Sequence, residues 1–182
     1  MIKINERLSL ELISDPIAEL LFQAIDGNRA HLSAFLPWVD NMKVPDDFTN
    51  YIVASRQLAA AGKELSYAIV FDQIPVGRIG LHNINSQHRN ASIGYWLTRA
   101  AEGNGLILKS CKELISYGFQ ELKLKRIEIK AAIANHRSLA VPEKLGFTKE
   151  GILRQAELVN EEFLDLVLYS ILEEEWDKQL SS

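Results

Sequence analysis

The sequence predicts an α/β (α+β) fold: a mixed, mostly antiparallel central sheet flanked by helices. Three observations point there. Short runs rich in β-branched and aromatic residues, LSYAIVF (65–71), ASIGYWL (91–97) and RIEIKAA (126–132), read as strands. Other stretches place apolar residues at helical spacing, as from 106 to 122. The order is strand, helix, helix, three strands, helix, strand, helix, strand, without the strict alternation that builds a doubly wound parallel sheet. With 182 residues, 47% of them hydrophobic, one compact domain over 1–182 is expected, with its own core.

The elements follow in order. Ile2 to Ile13 alternates apolar and polar residues and predicts one strand. Asp15-Pro16 opens a helix, with Ser14 or Asp15 as cap and Pro16 in the first turn. Ile17, Leu20, Leu21, Ala24 and Ile25 give it a buried stripe, and Asp26-Gly27-Asn28 ends it. HLSAFLPWVD (31–40) reads as a short aromatic loop or helix, and Asp46 to Ala61 as a second helix stopped by Gly62. Leu65 to Phe71 and Pro75 to Asn83 form two strands around the turn Asp72-Gln73-Ile74, and Ala91 to Leu97 forms a third. Leu106 to Leu122 is the best-patterned helix, with Ile107, Cys111, Leu114, Ile115 and Gly118 along one face. Arg126 to Ala132 is a strand, Arg137 to Leu145 a short helix, and Glu161 to Leu172 a final strand after a turn at Asn160. Glu173 to Leu180 is a short tail open to helix.

Composition excludes several classes. A net charge of −4 argues against a dedicated nucleic-acid binder, although KLKRIEIK (123–130) is locally basic. A single cysteine, Cys111, cannot build a disulfide framework or a cysteine-based zinc site, and a cytoplasmic location is expected. The start, MIKINERLSLELI, is neither a signal nor a transit peptide, and no apolar run approaches the ~20 residues of a membrane span.

The most informative stretch is Glu102-Gly103-Asn104-Gly105, between strand ASIGYWL and helix LILKSCKELISYGF. Bare amides at a helix start make an anion cradle, aided by roughly half a positive charge from the helix dipole. A Walker loop is excluded because Leu106-Ile107, not Lys-Ser or Lys-Thr, follows the second glycine. A dinucleotide fingerprint is excluded because position 108 is Leu. Alone, the glycine pair reads equally as a tight turn.

Thirty residues on comes NHRSLAVPEKLGF (135–147). With HLSAFLPWVD, GRIGLHNI, ASIGYWL, EGNG and EGILRQAELVNEEFLDLVLYSIL, it resembles the GCN5-related N-acetyltransferase superfamily over most of the chain. The resemblance is strongest to the Rim-type branch, which acetylates the N-terminal amine of ribosomal proteins. It implies that strand 91–97 splays from strand 126–132 and that acetyl-CoA binds in the opening. The pantetheine arm would bond main-chain groups of Trp96, Leu97 and Thr98. The pyrophosphate would sit on the amides of Glu102, Gly103, Asn104, Gly105, Leu106 and Ile107. Asn135 and Ser138 would face the pantetheine and its sulfur. The family pattern usually carries Gln or Arg where this chain has Ala100, so no side-chain help is expected from that slot. A homodimer is compatible with the family.

The implied reaction is direct attack of a primary amine on the thioester, without metal. The amine must be neutral, the oxyanion met by a donor and the thiolate met by another. An N-terminal amine, with a pKa of about 8, is easier to use than a lysine at about 10.4. A main-chain N–H at Trp96 or Leu97 would meet the oxyanion. Many superfamily members carry a leaving-group tyrosine where this chain has Pro142, which leaves Ser138 as the hydroxyl in place; its other reading is a helix cap. Phe35 and Trp38 would border the acceptor slot or pack over the sheet end, and His82 would line the acceptor side or be a satisfied strand histidine. Glu64 is a weaker candidate base acting through water. The expected acceptor is a protein N-terminus. The alternatives are a small amine such as a polyamine, antibiotic or toxin, and a CoA-binding module with little turnover.

Overall fold

Asn5 turns the start of the chain back on itself. Its Oδ1 accepts the N–H groups of Arg7 (2.9 Å) and Leu8 (3.0 Å), and Ile4 N–H donates to the Leu8 carbonyl at 3.0 Å. The single strand expected over Ile2–Ile13 is therefore a hairpin of β1 (Ile2–Lys3) and β2 (Leu8–Leu12). This side-chain turn competes with the ladder, and the apolar alternation alone does not reveal it. The computed structural model describes residues 1–181.

The next elements are α1 (Asp15–Asp26), with Ser14 at its N-cap, and α2 (Arg29–Leu32), a single turn. A 3-10 turn, Val39–Asn41, precedes α3 (Pro45–Ala60). Strands β3 (Leu65–Phe71) and β4 (Ile74–Asn85) meet at Asp72-Gln73, both with positive φ, the geometry of a two-residue hairpin turn. Ile74 is thus strand rather than turn. β5 (Asn90–Leu97), a 3-10 turn at Arg99–Ala101 and α4 (Leu106–Gln120) follow, then β6 (Arg126–Ala132) and α5 (His136–Lys144). The chain then enters β7 (Thr148–Val159), turns at Asn160-Glu161, and returns as β8 (Glu162–Leu172) before α6 (Glu173–Leu180).

β7 is the element that the sequence did not predict. LRQAEL within it favours helix, and the strand lies at the sheet edge with nearly every side chain exposed, so no two-residue alternation marks it. Pairing with β8 overrides that preference, with register shifts between Lys149 and Gly151 and between Leu153 and Glu157.

The eight strands make one sheet ordered β1-β2-β3-β4-β5-β6-β8-β7. Neighbours are antiparallel except β5 and β6, which run parallel. That pairing holds from Asn90↔Arg126 to Ile93↔Ile129 and then stops, so the two strands part over their C-terminal halves. Side-chain alternation on β5 feeds two cores. Ile93 and Leu97 join Leu81, Ile127, Leu114 and Ile115 under α4. Trp96 joins Val70, Leu21, Ile25 and Phe48 under α1 and α3. Fully buried side chains such as Leu114, Ile115 and Ile127 each contribute about 1.5–3 kcal/mol of transfer free energy. These contributions hold both faces of β5 and fix the lip of the opening. No described helix is long and apolar enough to cross a membrane.

Candidate active site

The parting of β5 from β6 leaves main-chain groups without a strand partner. Thr98 N–H donates to the Val76 carbonyl at 2.8 Å, and the β4–β5 register pairs Arg78 with Trp96. Antiparallel bonding alternates residue by residue. The amides of Gly94 and Trp96 therefore point at β4, and those of Tyr95 and Leu97 point into the opening. This refines the sequence expectation. Thr98 is committed at both ends, since its carbonyl also accepts from Ala101 N–H at 3.1 Å. Trp96 N–H is turned away, and its indole is buried. Leu97 N–H, like that of Tyr95, faces the opening.

At the end of the opening lies the glycine loop. Gly103 (φ 80°) and Gly105 (φ 68°) both take the left-handed conformation, and a Cβ on either would meet open space. Conformation, not crowding, demands glycine at both positions. Gly105 is the N-cap of α4 and offers no side-chain cap; the first helical bond is Lys109 N–H to the Gly105 carbonyl at 3.1 Å. The amides of Gly103, Asn104, Gly105, Leu106 and Ile107 have no acceptor among the described residues. Two corrections apply. Glu102 N–H already donates to the Arg99 carbonyl at 3.3 Å, so it is not part of the free set. The Asn104 side chain folds back, its Nδ2 donating to the carbonyls of Ala101 (3.1 Å) and Glu102 (3.2 Å), so it stiffens the loop. The loop is also tied to the helical layer: Arg99 N–H donates to Asn28 Oδ1 at 3.0 Å.

Across the opening, α5 presents Asn135 and Ser138. Asn135 is the N-cap, its Oδ1 accepting Ser138 N–H at 3.1 Å. Ser138 is thus not the cap, and its hydroxyl makes no hydrogen bond among the described residues. Tyr95 Oη donates to the Ser138 carbonyl at 3.1 Å and pins α5 to β5; burial pushes the Tyr95 phenol well above its ordinary value, so it stays a donor.

The opening widens into a cleft of about 250 Å³. Its wall includes Phe35, His82, Tyr95, Lys130, Ser138 and Glu157. Phe35 therefore borders the cleft. Trp38 does not: it packs on Trp96 with ring centroids 6.3 Å apart, inside the α1–α3 core, because its large apolar ring finds a partner there. The His82 imidazole makes no hydrogen bond among the described residues. Burial, then the positive charges of Arg78 and Lys130, hold its imidazole below the ordinary value, with Glu64 opposing in part. It faces the cleft as a neutral ring. Glu64 is no free base: it accepts from Ser55 Oγ at 2.8 Å and pairs with Arg78 at 2.6 Å.

The sequence reading missed Glu157. It lies in the second register shift of β7, where the bend aims it into the cleft. Among the described residues no hydrogen bond or ion pair involves its carboxylate, and burial pushes its carboxyl above the ordinary range. A half-buried carboxylate without an ion-pair partner, in a cleft with a free hydroxyl, is a candidate for proton transfer. In sequence it is one glutamate within R-Q-A-E-L, indistinguishable from a solvated residue.

Comparison with known proteins gives this geometry its context. The family model "Acetyltransferase (GNAT) domain" matches residues 7–148. The chain is 37% identical to YdaF of Bacillus subtilis (strain 168), a provisionally assigned ribosomal N-acetyltransferase, over 96% of each chain. It is 30% identical to the ribosomal-protein-serine acetyltransferase of Escherichia coli (strain K12), over 93% of this chain and 94% of that protein. The solved structure of RimL, a ribosomal L7/L12 alpha-N-protein acetyltransferase in complex with coenzyme A, superposes with a TM-score of 0.90 at 25% identity, covering 94% of this chain and 97% of that one.

Proposed function

Because this chain belongs to the GNAT acetyltransferase family and is an N-acetyltransferase, we propose that it transfers the acetyl group of acetyl-CoA to the N-terminal α-amine of a protein, with a ribosomal protein as the favoured class. The observation that carries the reading is the Glu157 carboxylate, alone and half-buried in the cleft between β5, β6 and β7, opposite the free Ser138 hydroxyl.

The parts divide the work. The amides of Gly103 to Ile107 take the diphosphate, and the main-chain edge at Tyr95 and Leu97 takes the pantetheine as an added strand would. Glu157 accepts a proton from the acceptor's ammonium group. The neutral nitrogen forms a bond to the acetyl carbon, and the Leu97 amide donates to the carbonyl oxygen as negative charge gathers there. The carbon–sulfur bond breaks, and Ser138 donates a hydrogen bond to the departing sulfur, whose thiol form has a pKa of about 8.5. The nitrogen, now carrying one proton too many for an amide, passes it through water to the departing thiolate, and Glu157 returns its own proton to solvent. Net, an amide and a thiol replace an amine and a thioester.

The cleft's charges bear on the acceptor. Lys130 and Glu157 are of opposite sign, so the wall offers one carboxylate for one ammonium group. A polyamine would leave its other cations facing Lys130. Phe35, Leu36 and Leu166 supply an apolar wall for a first side chain. The test offers acetyl-CoA with three acceptors: peptides with free N-termini, the same peptides N-blocked but carrying lysine, and spermidine. Mass spectrometry should find acetyl on the free α-amine only. Preferential acetylation of spermidine would overturn the reading.

A further inference from the structure

Glu102 is the only acidic residue of the glycine loop, and it stands at the mouth of a cradle for anions. Its carboxylate is held on both sides. Oε1 lies 3.2 Å from His31 Nε2 on α2, and Oε2 accepts from Arg137 Nη1 on α5. Arg137 sits on the opposite lip of the opening, one residue from Ser138, and its side chain is 72% exposed against 25% for Glu102. The pair thus spans the gap through which a coenzyme's diphosphate must pass to reach the amides of Gly103 to Ile107.

We infer that Glu102 is a displaceable counter-ion for Arg137, and that Arg137 exchanges it for the diphosphate of the incoming coenzyme. The inference rests on the acetyl-CoA reading above. One observation and two general principles support it. The position that would supply a basic or amide side chain to the loop is Ala100, so the cradle has no cation of its own from that slot. An exposed ion pair is a weak tie, readily broken. A guanidinium binds a phosphate through two parallel N–H bonds, and a diphosphate carries more charge than the carboxylate it replaces. His31 keeps the released carboxylate on the α2 side, away from the anion. Glu102 therefore lowers coenzyme affinity, and Arg137 raises it.

Titration calorimetry with CoA tests this on the intact chain. Arg137→Gln should weaken CoA binding about tenfold, as expected for one lost charge-assisted pair. It should also flatten the dependence of affinity on salt. Arg137→Lys, which keeps the charge but loses the fork, should fall between. Glu102→Gln should tighten binding about threefold, the effect of removing one nearby like charge. Arg99→Gln, a nearby exposed arginine, controls for general charge. Unchanged affinity in Arg137→Gln, weaker binding in Glu102→Gln, or equal losses at Arg99 and Arg137 would each overturn the exchange. A wild-type chain that bound no CoA would overturn the acetyl-CoA reading, and this inference with it.

Discussion

Glu157 is a carboxylate that the ligand-free fold would be more stable without. Burial raises its folded pKa, so relative to the unfolded chain the native state binds this proton more tightly. The sign follows: the group's contribution is most favourable below the ordinary carboxyl value of about 4.5 and is lost as pH rises through the folded pKa. Glu157→Gln should therefore raise the melting temperature at pH 7 by a degree or two, on the order of 0.5 kcal/mol. The same change should lower kcat by about 10²–10⁴-fold, the range for losing a general base. A calorimetric scan and a steady-state assay check both; a variant that kept its activity would remove Glu157 from the chemistry. Ser138→Ala should leave the helix intact, because Asn135 supplies the cap, and should lower kcat far more than CoA affinity. Equal losses would make Ser138 a binding residue. Ser138 was legible in N-H-R-S because its neighbours form a motif. Glu157 was not, since only the bend in β7 and the absence of a partner distinguish it from a surface glutamate.

Elements matter here where they end. Gly103→Val would force a β-branched residue to φ near 80°, at about 1–3 kcal/mol, yet its side chain would enter open space. The variant should remain folded, melt lower and lose CoA binding by calorimetry; retained affinity would show that the loop is no cradle. The far edge of the sheet is held differently. Glu150 on β7 reaches over β8 to Arg126 on β6, with bonds of 2.5 and 2.7 Å, and also accepts from Ser170 at 2.6 Å. These bonds hold its carboxyl near pH 2, well below its ordinary 4.5. Its stabilisation is present above the unfolded value and lost as pH falls through the folded one. Glu150→Gln should destabilise the fold at pH 7 by about 0.5–1 kcal/mol, discounted for solvent screening. The difference from wild type should close toward pH 2 in denaturant titrations. The strands β3 and β6 were read from sequence with their observed bounds, β3 because burial on both faces gives a continuous apolar run and β6 because buried apolar residues alternate with Arg126, Glu128 and Lys130. β7 was not, because its own residues favour helix and its neighbour β8 holds it in place.

At the scale of the whole molecule, the sheet is a partition between two cores, and the cleft forms where that partition divides. The parting was expected from resemblance to a family, not from apolar spacing, which predicts strands but not where two of them stop pairing. Coenzyme binding should therefore act on the global transition. CoA at 100 times its Kd should stabilise the native state by about 2.7 kcal/mol and raise the melting temperature by about 5 to 10 °C. A scan with no shift would count against a site in the opening. The outer rim of this sheet, β7, is guarded by Lys149, Glu150 and Arg154, as exposed rims commonly are. The inner seam between β5 and β6 is different: its cleft wall carries Lys130, a charge that attracts an anionic guest. Past Ile93 that seam turns unpaired main-chain donors of β5 outward, so an extended guest can complete the ladder as an added strand would.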